Sequence, residues 1–91
     1  MPLTDTEVAM RLESLPEWRV ESGELTRTFA FKDFVGSLAF VNKVGELAEK
    51  AGHHPDIDIR YNRVRLALVT HDAGGITEKD FDLAAAATKL G

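Results

Sequence analysis

The sequence of 91 residues contains no cysteine. That absence excludes a disulfide scaffold, thiolate catalysis and cysteine-ligated zinc or iron–sulfur centres, and fits reducing and oxidising compartments equally well. Positive charge is scarce too, with 11 Lys+Arg against 15 Asp+Glu and a formal net charge of −4. A phosphate backbone is normally met by a basic stripe or patch, so direct nucleic-acid binding is not expected. Long apolar runs are also missing. The longest uncharged stretch, Phe34 to Asn42, is about half a membrane span. Residues Met1 to Glu7 lack the basic and apolar regions of a secretory signal, so the expected location is cytoplasmic and no membrane partner is expected.

The composition that is present, 44% hydrophobic and 29% charged, is that of an ordinary globular chain. Its length suits one domain over residues 1–91. A chain this short buries only about 60–70% of its unfolded surface, which makes assembly with copies of itself a reasonable expectation.

Thr4 followed by Glu7 is a capping-box pattern, and Val8, Leu12 and Leu15 follow at helical spacing until Pro16. Trp18 to Val20 and the alternating Leu25, Arg27, Phe29 and Phe31, with a turn between them, predict a hairpin. From Asp33 to Ala51, Phe34, Leu38, Val41, Val44, Leu47, Ala48 and Ala51 recur at three- and four-residue steps, with Gly52 placed to end a helix. Pro55 forces the chain to turn at His53-His54-Pro55. Ile57, Ile59 and Tyr61, then Val64, Leu66, Leu68 and Thr70, predict a second hairpin around Asn62-Arg63. Residues 71–75 read as a loop, and Thr77 with Asp80 opens a last helix carrying Phe81, Leu83, Ala84, Ala87 and Leu90. The predicted order αββαββα gives an α+β fold, a four-stranded antiparallel sheet with three helices on one face.

All three histidines fall at element boundaries: His53 and His54 after the long helix, His71 after the fourth strand. Imidazole exchanges protons near neutral pH, and loop positions on a rigid scaffold suit catalysis, so the pattern points to proton transfer. Glu49, one helical turn before His53, has the spacing to orient that imidazole, and Asp80 is a second carboxylate for the same task. Each has a structural reading as well. A histidine at a helix C-terminus favours the dipole, Thr77 and Asp80 form a capping pair, Tyr61 continues an apolar strand face, and Trp18 is a good core residue. Three histidines near carboxylates also raise the question of zinc. Adjacent His53 and His54 would point apart on an extended chain, and no helical His pair exists, so no metal site is expected.

Glu49-x3-His53-His54-Pro55-x5-Tyr61-x9-His71-x8-Asp80 fixes seven residues over 32 positions. This pattern resembles the signature of pterin-4a-carbinolamine dehydratases. Ala48-Glu49-Lys50, Tyr61-Asn62 and Thr70-His71 resemble that family too, and Trp18 before the first hairpin extends the likeness toward the N-terminus. The resemblance implies dehydration of a 4a-hydroxytetrahydropterin to the quinonoid dihydropterin, which regenerates the cofactor of aromatic amino-acid hydroxylases. It implies no cofactor and no metal for the dehydration itself. It makes His53 and His71 candidates for general acid and base, His54 for substrate binding, and Glu49, Asp80 and Trp18 for positioning or substrate contact. It further implies a homodimer or homotetramer. A different class of role stands beside catalysis, a module that binds a protein partner as a dimerisation cofactor does. Retention of all three histidines favours the enzyme.

Overall fold

Thr4 and Glu7 close the expected capping box: the Thr4 amide donates to Glu7 at 2.8 Å and the Glu7 amide to the Thr4 hydroxyl at 3.1 Å. In the computed structural model, which describes residues 1–91, this box starts helix α1 (Asp5–Leu12). The helix stops short of Pro16, and Leu15 is buried beyond its end. Strands β1 (Arg19–Glu21) and β2 (Glu24–Ala30) meet at Ser22-Gly23, where both residues have positive φ, 51° and 78°. That pairing is the tight hairpin turn that matches strand twist. Helix α2 (Phe34–Ala51) is capped by Asp33, which accepts from the Gly36 amide at 2.9 Å.

Strands β3 (Asp56–Arg60) and β4 (Arg63–Leu68) complete an antiparallel sheet of order β1-β2-β4-β3, followed by a single 3-10 turn at His71–Ala73 and helix α3 (Glu78–Leu90). Leu25 faces Leu68 and Phe29 faces Val64 across the central strands. These side chains, with Leu66, pack against Phe40, Val44 and Ala48 of α2 and Phe81, Ala84 and Ala87 of α3. Helix α1 buries no residue fully; its Val8 and Leu12 lie against the core from the side, and Arg11 pairs with Glu78. The opposite face carries Glu21, Thr26, Asp58 and Arg65, where Arg65 donates to Glu21 at 3.2 Å. The α+β order is as expected.

The second hairpin differs from expectation. Its turn is Tyr61-Asn62, one residue earlier than Asn62-Arg63, and Tyr61 leaves the strand with φ of 51° and 65% exposure. Local hydrogen bonds override the apolar alternation. The buried Ser37 hydroxyl donates to the Tyr61 carbonyl at 2.7 Å, and the Asn62 side chain donates to the Phe31 carbonyl at 3.0 Å. Together they tie this turn to α2 and to the end of β2. No helix is long and apolar enough to cross a membrane.

Candidate active site

The C-terminus of α2 sets the backbone of His53. Gly52 takes the left-handed conformation, φ 61°, that glycine adopts without steric cost. The Gly52 amide then bonds the Glu49 carbonyl at 3.3 Å and the His53 amide bonds the Ala48 carbonyl at 3.2 Å. This double closure satisfies two of the last-turn carbonyls and turns the chain away from the helix axis. His53 is therefore no longer one helical turn above Glu49.

Its imidazole reaches across to α3 instead. His53 Nε2 lies 2.5 Å from Asp80 Oδ1. Asp80 is fully buried, at 0% exposure, and the His53 side chain is 12% exposed. The other carboxylate oxygen, Oδ2, accepts from the Thr77 amide and from the Thr70 hydroxyl, each at 2.9 Å. Thr70 and Thr77 are also hydroxyl to hydroxyl at 2.7 Å. A carboxylate can only accept, so His53 presents Nε2–H to Asp80, and in the neutral imidazole Nδ1 is then the nitrogen open to a proton. A buried carboxylate so fully bonded gives the imidazole a fixed tautomer and a fixed orientation. Asp80 thus serves as capping residue and histidine partner at once.

Glu49 holds the neighbouring histidine. His54 Nε2 lies 2.5 Å from Glu49 Oε2, with both side chains largely exposed. The expected pairing of Glu49 with His53 is corrected: the glycine cap breaks the four-residue spacing, and Pro55 keeps His54 extended beside Glu49. His53 and His54 are drawn to different carboxylates, and no three His, Asp or Glu side chains gather in a metal-binding arrangement. His71 is exposed on the 3-10 turn directly after Thr70, in a loop closed by pairing of Thr70 with Gly75. Its chain neighbour Thr70 bonds Asp80 through the hydroxyl, while the His71 imidazole itself has no hydrogen-bond or ion-pair partner.

Trp18 is not brought to the histidines. It is buried edge-on to Phe29 at 6.0 Å between ring centres, and its Nε1–H donates to the Thr88 hydroxyl at 2.8 Å. Thr88 is eight residues beyond Asp80 on α3, about 12 Å along the helix. The core reading of Trp18 is the one this placement supports.

A cavity of about 350 Å³ opens beside His53, between the end of α2 and the start of α3. Leu47, Ala51, Leu83 and Ala86 form its apolar part, and Lys50, Lys79 and Asp82 its polar rim. Its size suits a small heterocycle. Spacing alone did not reveal this rim or the part of Thr70, because both depend on α2 and α3 being neighbours. The capping pair Thr77 and Asp80 was the one readable signal that the start of α3 mattered.

Comparison with known proteins gives matches over most or all of the chain. The sequence profile of the family described as Pterin 4 alpha carbinolamine dehydratase matches residues 1–90. A protein of Acidobacterium capsulatum, provisionally named a pterin-4-alpha-carbinolamine dehydratase, is 65% identical over 88 residues, covering 97% of this chain and 96% of the relative. A relative of the same provisional name from Chloroflexus aurantiacus is 59% identical over 88 residues, 97% of this chain and 95% of its own. The crystal structure of a transcriptional coactivator/pterin dehydratase from Brucella melitensis superposes with a TM-score of 0.95 at 35% identity, over 99% of this chain and 98% of that one. A pterin dehydratase-like protein identified as a RuBisCO assembly factor in the alpha-carboxysome gives 0.65 at 26% identity, over 80% and 84%.

Proposed function

Because the chain belongs to the pterin 4 alpha carbinolamine dehydratase family, we propose that it converts a 4a-hydroxytetrahydropterin to the quinonoid dihydropterin and water. The carrying observation is the buried His53–Asp80 pair at the edge of a cavity of pterin size. In this reaction the C4a–O bond breaks as an acid protonates the departing hydroxyl. The electron pair on N5 then forms the C4a=N5 bond, and a base removes the N5 proton. Atoms and electrons balance without an oxidant or reductant. One proton donor and one acceptor suffice, and His53 and His71 are assigned to these parts in either order. His54, held by Glu49, is assigned to substrate binding. The turnover would recycle the tetrahydropterin cofactor of an aromatic hydroxylase.

Self-association belongs to the same reading. Phe34, Val35 and Leu38 at the start of α2 and Ile57 on the edge strand β3 expose apolar surface of the kind that a second copy covers. That surface is also the observation favouring a second reading, a protein-binding module on this fold. Two solved relatives described as a coactivator and an assembly factor give that reading its precedent.

The deciding experiment follows the loss of freshly generated 4a-hydroxytetrahydropterin above its spontaneous rate. Single His53→Ala and His71→Ala variants are expected to lose about 10²–10⁴ in rate, the usual worth of a general acid or base. His54→Ala should chiefly raise KM. A wild-type rate no faster than background would favour the binding module, and near-normal rates in all three variants would sink the histidine mechanism.

A further inference from the structure

We propose that the cavity beside His53 selects pterins whose C6 substituent carries a negative charge, as phosphate or carboxylate, through Lys50 and Lys79. The inference rests on the dehydratase reading and adds a substrate class to it. The reacting bond joins C4a to N5, and N5 is bonded directly to C6. A histidine working at that bond therefore has the C6 substituent within a bond or two of the reacting atoms. The chain at C6 thus starts beside the histidine, and the residues lining the cavity at His53 form the surface nearest to it.

Those residues are of two kinds. Leu47, Ala51, Leu83 and Ala86 offer an apolar bed for the heterocycle. Lys50 comes from α2 and Lys79 from α3, so cationic side chains approach the cavity from both walls, against Asp82 on the rim and the buried, fully bonded Asp80 behind His53. Every ion pair in the molecule uses an arginine or a histidine, which leaves both ammonium groups uncommitted. In a chain of net charge −4, two ammonium groups without an ion-pair partner at one cleft stand against the overall charge. Lysine's flexible stem and three rotatable donors suit a mobile anion on a side chain, where a planar, fixed one would suit arginine. A cation pair at a cleft also raises the local concentration of an anionic substrate.

The test compares kcat/KM for two 4a-hydroxytetrahydropterins, one with a neutral dihydroxypropyl side chain and one with that side chain phosphorylated. Wild type should favour the phosphorylated substrate by about ten-fold, mostly through KM, as two solvated charge contacts allow. High salt should erode the preference. Lys50→Gln/Lys79→Gln should reduce it to about two-fold or less, since the contacts are lost, whereas Lys89→Gln, at the far end of α3, should keep it. Equilibrium binding of the corresponding dihydropterins, read by fluorescence, should show the same lysine-dependent ratio without turnover. Equal kcat/KM for the two substrates in an active wild type overturns charge selection and leaves the dehydratase standing. A preference that survives the double substitution overturns the lysine assignment. Failure to turn over either substrate overturns both readings.

Discussion

Replacing Asp80 by asparagine changes almost no volume and inverts one hydrogen bond. The carboxylate accepts three: from the Thr77 amide and Thr70 hydroxyl on Oδ2, and from His53 on Oδ1. The Thr77 amide can only donate, so the asparagine carbonyl must take the Oδ2 position. Its NH2 group then points at His53 Nε2, which must surrender its proton and become an acceptor. The imidazole is left in the opposite tautomer, with Nδ1 protonated. If His53 is the base, its Nδ1 is blocked by a proton; if it is the acid, its imidazolium loses the carboxylate that supports it. In either part the expected loss in kcat is about 10²–10⁴. Stability should fall less dramatically. Each contact drops from a charge-assisted bond to a neutral one, a difference of roughly 1 kcal/mol, or about 3 kcal/mol for all three. At about 4–8 °C per kcal/mol for a domain of this size, Tm should fall by about 12–24 °C with the fold intact at low temperature. Nitrogen-15 imidazole shifts report the tautomer and the carbinolamine assay reports the rate. A variant with the swapped tautomer and wild-type kcat would refute the orienting role, as would an unchanged tautomer.

Gly52→Ala places a Cβ in open space but keeps φ at 61°, so backbone strain alone should cost about 1–2 kcal/mol, read as a lower urea midpoint. Trp18→Phe removes the bond to Thr88 and should lower stability by about 1 kcal/mol; an accompanying rise in pterin KM would return Trp18 to the substrate. Glu21 is held below its ordinary value of 4.5 chiefly by the Arg65 hydrogen bond and then by Thr26, and Glu7 below the same value by the Thr4 amide and then its hydroxyl. The unfolded chain therefore binds these protons more tightly, so stability is complete above about pH 4.5 and is lost as pH falls through the lower folded values. Urea titrations between pH 5 and about pH 3 should show that decline, with a shallower slope in Glu21→Gln.

Most element boundaries were legible because short-range chemistry determines them. Thr4 with Glu7, Asp33 before Phe34, Gly52, Pro55, and Thr77 with Asp80 each satisfy or deny backbone groups within a few residues. The sheet was legible for the same reason, through alternation at Leu25 to Phe29 and Val64 to Leu68. Tyr61 misled because alternation continues through it while Ser37, distant in sequence, fixes its carbonyl in a turn. The histidines and carboxylates stand out in the sequence, and Asp80 reads there as a carboxylate for an imidazole, but the sequence does not show which carboxylate meets which histidine. A helical spacing rule pairs Glu49 with His53, and the rule ends where the left-handed glycine begins. The cavity rim was invisible for a plainer reason: Lys50 and Lys79 look like ordinary solvated lysines until α2 and α3 are set side by side.

The double duty of Asp80 affects how relatives of this protein should be compared. A descendant that abandoned catalysis for partner binding would still need the start of α3, and so would keep this aspartate for folding alone. Presence of Asp80 in a homologue therefore says little about whether it turns over substrate. Glu49 and His54, exposed and dispensable to the core, are under no such obligation. Should His54 bind substrate as proposed, drift at those two surface positions would record the loss of turnover that Asp80 conceals.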